Sequence, residues 1–324
     1  WGLVAGCLLL LAGCATNGTQ NQLSAEQSEL YAGQPILTYL AEQQAKTPAE
    51  AMQRGRQAQI TQDYDRALYE YIRAYELDDR HTEALLEIAN IHYQRNNFKT
   101  AYLAYQKALF VDPNLIPAHQ GSGLILLRQK QHNLALDAFT RAVALEQQHN
   151  EEHSDGSADA SAQSERPRSA LALESYNGLG IIYDMKGMYQ EARTHYRAAL
   201  AIDRHNKVIL NNLGYSHYME SEWQQAEGYF SQALHADSGY QPAWKNLGLV
   251  YARQEKYSQA LDALEQVMDT PQAYNDIGYI CLLSKRYQDA AAFFQKAISS
   301  NPQYYEVAQQ NLLRVKRLLE NSPG

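Results

Sequence analysis

The chain has 324 residues and a net charge of −8, with a sequence pI near 5.7. That balance offers no basic field to hold a phosphate backbone, which excludes nucleic acid as a partner. The length suffices for two ordinary domains or one extended array.

The chain opens on an apolar run from Leu3 to Ala12 that stops at Cys14. The run is roughly half of the ~20 residues a spanning helix needs. A short apolar stretch followed by small residues reads as a signal peptide. Leu11-Ala12-Gly13-Cys14 resembles the lipobox of bacterial lipoproteins, in which the cysteine is acylated and becomes the first mature residue. The resemblance implies a lipid anchor at Cys14. Ala15 after the cysteine implies sorting to the outer membrane of a Gram-negative bacterium, facing the periplasm. An initiator Met and a basic n-region are missing, so residues 1–13 are read as a signal peptide truncated at its start. Residues 14–47 are read as the lipidated cysteine and its tether, rich in Asn, Gln, Ser and Thr up to about residue 34. With Cys7 removed and Cys14 acylated, Cys281 has no partner for a disulfide.

From residue 48 the sequence repeats itself. YDRALYEYIRA (64–74) is matched by FKTAYLAYQKA (98–108), HNLALDAFTRA (132–142) and YQEARTHYRAA (189–199). WQQAEGYFSQA (223–233), YSQALDALEQV (257–267) and YQDAAAFFQKA (287–297) follow the same template. The template alanines are Ala67, Ala101, Ala135, Ala192, Ala226, Ala260 and Ala290, in steps of 34, 34, 57, 34, 34 and 30. Twelve residues before each lies another small residue: Gly55, Ala89, Gly123, Gly180, Gly214, Gly248 and Gly278. Small side chains at both points let two antiparallel helices cross closely, with aromatic rings beside the crossing. The pattern resembles the tetratricopeptide (TPR) repeat, most closely in NNLGYSHY (211–218) and KNLGLVYARQEKYSQA (245–260). The resemblance implies an all-α fold, a right-handed superhelical solenoid of about seven helix–turn–helix repeats.

The expected organisation is repeats one to three at 48–149, an insert at 150–172, repeats four to seven at 173–304, and a capping helix at 305–320. The insert's centre is polar and low in complexity, with too little apolar surface for a core of its own. Repeat six is four residues short, and Asp269-Thr270-Pro271 starts the next helix early. The capping helix sets Tyr305, Ala308, Leu312, Val315 and Leu319 on one side, covering the apolar edge of the last repeat.

Few residues suggest chemistry. His149 to His153 match the inverted zincin motif H-x-x-E-H, but the motif runs off a repeat helix into the insert, so no metal is expected. His92, His217 and Cys281 occupy a first-helix position filled elsewhere by Tyr183 and Tyr251, which reads as packing. No nucleophile elbow, phosphate loop or dinucleotide fingerprint occurs, so no catalytic residue, no cofactor and no small-molecule substrate is expected.

Function is expected on the first helices, whose fifth, sixth, ninth and twelfth residues line the concave face in TPR arrays. In the C-terminal block these include Asn177, Asn211, Asn212, Tyr215, Tyr218, Lys245, Asn246, Leu249, Asn275 and Tyr279, with Ile181 and Asp276 beside them. A carboxamide donates and accepts together, so an asparagine row suits the backbone of an extended peptide. The same amides are equally able to bridge neighbouring helices. Residues 273–315, with the shortened repeat before them, resemble the TadD family, the TPR lipoproteins of the tight-adherence pilus apparatus. That resemblance implies a pilotin-like role with protein partners among the outer-membrane secretin or pilus assembly components. The alternative is an adaptor of the NlpI kind, scaffolding cell-wall hydrolases.

Overall fold

A computed structural model describes residues 30–31, 44–153, 168–301, 303 and 305–320. The residues read as a signal peptide, Cys14, most of the stretch read as tether, and residues 154–167 of the stretch read as insert lie outside the described residues. Among the described residues there are fifteen helices and no strand. The chain divides into two compact units, residues 1–104 and 105–324.

The first unit holds α1 (Pro48–Ile60), α2 (Tyr64–Leu77), α3 (Thr82–Gln94) and the first half of α4 (Phe98–Val111). The Thr47 hydroxyl caps α1 by accepting the Glu50 N–H at 3.2 Å, and Pro48 occupies the first turn, where no N–H is needed. Ala67 is fully buried, and the Tyr71 ring lies over Gly55 with its hydroxyl donated to Gln59 at 2.7 Å. Upstream, Leu30 and Tyr31 are helical and buried, and the Leu30 carbonyl meets His92 Nε2 at 2.6 Å. Part of the stretch read as tether therefore packs on the first unit.

The second unit continues with α5 (Ile116–Arg128), α6 (His132–His153), α7 (Arg168–Met185), α8 (Tyr189–Ile202) and α9 (Lys207–Met219). It ends with α10 (Trp223–Ala236), α11 (Gln241–Arg253), α12 (Tyr257–Leu264), α13 (Thr270–Leu283), α14 (Tyr287–Ser300) and α15 (Glu306–Glu320). Every second helix begins at the template's leading residue: Tyr64, Phe98, His132, Tyr189, Trp223, Tyr257 or Tyr287. Within this unit a ring sixteen residues on covers the small first-helix glycine, as Phe139 covers Gly123, Tyr196 covers Gly180, Phe230 covers Gly214 and Phe294 covers Gly278. In repeat six, Leu264 takes the ring's place over Gly248.

The turns are equally regular. Gln62, Asn96, Lys130, Gly187, Ser221, Glu255 and Lys285 each take positive φ just after a first helix. The next residue's N–H then reaches back five residues, as in Glu222 to His217 (3.0 Å) and Arg286 to Cys281 (2.9 Å). This Schellman closure satisfies carbonyls that a helix end would leave unpaired.

Two departures from the repeat length stand out. Helices α6 and α7 run to His153 and from Arg168, further into the stretch read as insert than the repeat register places them. Helix α12 has only eight residues against fourteen in its counterparts α10 and α14. Asp269 then caps α13 by accepting the Gln272 N–H at 2.8 Å, with Pro271 in the first turn. The last helix, α15, buries Ala308, Leu312 and Val315 against the final repeat.

A candidate partner-binding face on the first helices

The asparagines of the C-terminal block form rungs between successive first helices. Asn212 donates to Asn177 at 2.9 Å, Asn246 donates to Asn211 at 2.9 Å, and Asn311 donates to Asn275 at 3.0 Å. The first two rungs join the fifth residue of one first helix to the sixth of the next; in the third, Asn311 on α15, 36 residues after Asn275, takes the place of the sixth residue of an eighth first helix. At the remaining junction these two positions hold Lys245 and Asp276. Burial pushes the Asp276 carboxyl above its ordinary range, against the pull of Lys245 and a hydrogen bond from Asn275. The row stops at repeat four because the sixth position there is Gly178, which lies under the Phe139 ring.

The amides are thus engaged with one another, bridging helices, and what the face exposes lies beside them. Tyr215 and Tyr279 in the ninth position are 43% and 41% exposed. Leu249 in the same position of repeat six, and Ile181 in repeat four, are half-buried. Tyr215 stacks on Tyr218 at 6.0 Å between ring centroids. The Tyr218 hydroxyl accepts from Arg253 Nε at 3.1 Å, and Arg253 Nη1 donates to the Ser284 hydroxyl at 3.0 Å. The guanidinium lies over the Tyr218 and Trp223 rings. Arg253 is held by hydroxyls and π-faces, and all of these groups are uncharged.

The structure adds residues that the sequence reading missed. The twelfth position is buried at Ala252 and Leu282, whereas the thirteenth is open. Met185, Met219 and Leu283 stand there, 58%, 43% and 50% exposed, with Arg253 between them in the series. Their sequence signal is an apolar residue in the last turn of a first helix, out of step with the buried stripe. Asn311 was missed as well. Its signal is the 36-residue separation from Asn275.

The groups weighed as chemical candidates pack instead. His92 is fully buried, and burial lowers its pKa. His217 stacks on Tyr229 at 5.2 Å and turns Nδ1 to the Glu222 carboxylate; burial lowers its pKa too. Cys281 is 1% exposed, and burial pushes its thiol up, the wrong direction for a nucleophile. Arg193, buried on α8, pairs with Glu220 and Glu222 in the turn of the next repeat. The side chains of residues 150–153 lie outside the description. No helix among the described residues is long and apolar enough to cross a membrane.

Stacked helix pairs with an exposed row of tyrosine, methionine and leucine define a class: a helical-repeat scaffold that presents an extended surface. Models of the tetratricopeptide repeat match residues 52–116, 173–206, 211–269 and 247–305. The chain belongs to the tetratricopeptide repeat family, whose members bind protein partners. Among solved structures it is similar to a tetratricopeptide repeat protein from Parabacteroides merdae, with 16% identity, a TM-score of 0.54, and 83% and 98% of the two chains covered. It is also similar to the APC/C hetero-tetramer Cut9–Hcn1, with 18% identity, a TM-score of 0.53, and 83% and 48% covered. Both likenesses concern the fold. A curated relative, the Arabidopsis thaliana protein described as a probable UDP-N-acetylglucosamine–peptide N-acetylglucosaminyltransferase SPINDLY, is 31% identical over 122 residues. That match spans 38% of this chain and 11% of the relative.

Proposed function

We propose that this chain is a lipid-anchored scaffold on the periplasmic side of the outer membrane. It holds a protein partner on the first-helix face of repeats four to seven. The observation that carries the reading is the recurrence of large exposed side chains at equivalent positions: Tyr215 and Tyr279 in the ninth, Met185, Met219 and Leu283 in the thirteenth. Large apolar side chains set side by side in solvent mark interaction sites more often than single ones do. The anchor rests on Leu-Ala-Gly-Cys at residues 11–14. The partner class rests on the resemblance of residues 273–315 to the TadD family, which points to a pilus secretin under assembly.

The test is the heat-resistant secretin multimer in outer membranes of the parent and two variants. Cys14→Ser removes the acyl chains that hold the protein at the leaflet, because stable anchoring takes more than one chain. Tyr215→Ala with Tyr279→Ala removes the exposed rings. Both should reduce the multimer while total secretin stays constant. Undiminished multimers in both variants would refute the reading.

A further inference from the structure

The chain ahead of the repeats is fixed to the first unit at two points. At the first, Leu30 and Tyr31 are helical and only 0% and 4% exposed. The Leu30 carbonyl lies 2.6 Å from Nε2 of His92, 62 residues further on. A carbonyl only accepts, so Nε2 carries the proton, and Nδ1 is left to accept from the Asn97 amide at 3.5 Å. Burial pushes the Tyr31 hydroxyl's pKa up, and its neighbours Glu76, Tyr69 and Glu70 all belong to α2. At the second point Ala45 is fully buried, and its carbonyl accepts from Arg73 Nε, also on α2, at 3.3 Å.

The first of these contacts joins two repeats. Tyr31 meets α2 of repeat one, and Leu30 meets α3 of repeat two. Release would expose two large side chains to water and leave the buried His92 N–H without its acceptor. Both changes oppose release, because a buried donor left unpaired costs more than an ordinary hydrogen bond returns. The packing assigned to His92 thus has a specific object, the backbone of the chain that leads in from Cys14.

We infer that Leu30 and Tyr31 dock the incoming chain on the first unit and so set how far the repeats stand from the membrane. Fully extended, the sixteen residues from Cys14 to Leu30 reach at most about 55 Å, whereas the thirty-four from Cys14 to Pro48 would reach about 115 Å. Docking takes the residues between Tyr31 and Ala45 out of the path and roughly halves the reach of the first unit. His92 acts as a positioning residue that fixes where the span ends. The distance from the membrane rests on the proposed acylation of Cys14, whereas the docking does not.

The test reads the two separately. Spin labels on unnatural amino acids are placed at Asn17 and at the exposed Gln57 of α1 in the full chain, and their separation is measured by double electron–electron resonance. About twelve glycine and serine residues, a flexible spacer, are inserted either between Ser24 and Ala25 or between Gln34 and Pro35. The first insertion should lengthen and broaden the distances, adding up to about 40 Å of reach. The second should leave the parent distribution unchanged, because it lies beyond the dock. Leu30→Asp with Tyr31→Asp should make the two insertions equivalent. Equal lengthening by both insertions in the otherwise unaltered chain would overturn the inference, and that comparison needs no change to a buried residue. The height is read on protein isolated from membranes and reconstituted in vesicles, as energy transfer from a dye at Gln57 to acceptor lipids. Transfer should fall with the first insertion alone, and an equal fall with both would also count against the dock. A protein that does not join the vesicles would remove the lipid anchor and the height with it, while the spin-label distances would still decide the docking.

Discussion

At Gly214, an added Cβ would lie 2.8 Å from the Phe230 ring, inside any real contact distance. At Gly187 it would meet nothing within 4 Å, but φ is +74°. The two glycines are therefore required for different reasons, and alanine separates them. Gly214→Ala should cost about 1–3 kcal/mol through overpacking, whereas Gly187→Ala should cost about 1–2 kcal/mol through backbone strain alone. Urea unfolding of both variants checks this, and a companion Phe230→Leu should recover stability only in the first. Asp276 gives a pH prediction. Burial raises its folded pKa above the ordinary 3.8, so the folded state binds the proton more tightly than the unfolded one. Its stabilising contribution is then full below the ordinary value and declines as pH rises through the raised one. Asp276→Asn should gain stability relative to the parent across that rise. A difference independent of pH from 3 to 8 would contradict it. Gly214 was legible in the sequence because a template repeats it. The raised Asp276 was not, because burial between helices α11 and α13 comes from a tertiary contact with no local pattern.

At the level of the helix, the amide rungs make a quantitative claim. Asn211 and Asn246 share one hydrogen bond, which should contribute about 0.5–1.5 kcal/mol. Asn246→Ala and Asn211→Ala should each lower stability by that order, and the double variant should cost less than the sum. A strictly additive cycle would mean that the two amides act separately. Asn212→Ala should likewise lower the melting temperature through its bond to Asn177, while leaving partner affinity far less changed than Tyr279→Ala does. Helix order, the crossing residues and the early start of α13 were all readable from the 34-residue period and from Asp269-Thr270-Pro271. The face was read in part. Its asparagines were found from composition at equivalent positions, but whether they meet a ligand or each other depends on distances between helices that no single repeat encodes. The exposed thirteenth position was missed because a methionine ending an amphipathic helix looks like core until the neighbouring helix is placed.

For the molecule as a whole, the second unit separates its roles. Its second helices pack rings over small residues, its turns close by one repeated geometry, and its first helices carry the exposed tyrosines, methionines and arginines. The lipid anchor and the pilus partner are proposals that rest on Leu-Ala-Gly-Cys and on residues 273–315. The use of the first-helix face is the central claim. The most direct test places a photo-crosslinking amino acid at Tyr215, Met219 or Tyr279 on that face, and at the exposed second-helix positions Gln224 or Gln288. After irradiation of cells expressing each variant, the account predicts adducts to one shared partner from Tyr215, Met219 and Tyr279, and none from Gln224 or Gln288. Adducts from the second-helix positions, with none from the first-helix face, would contradict it.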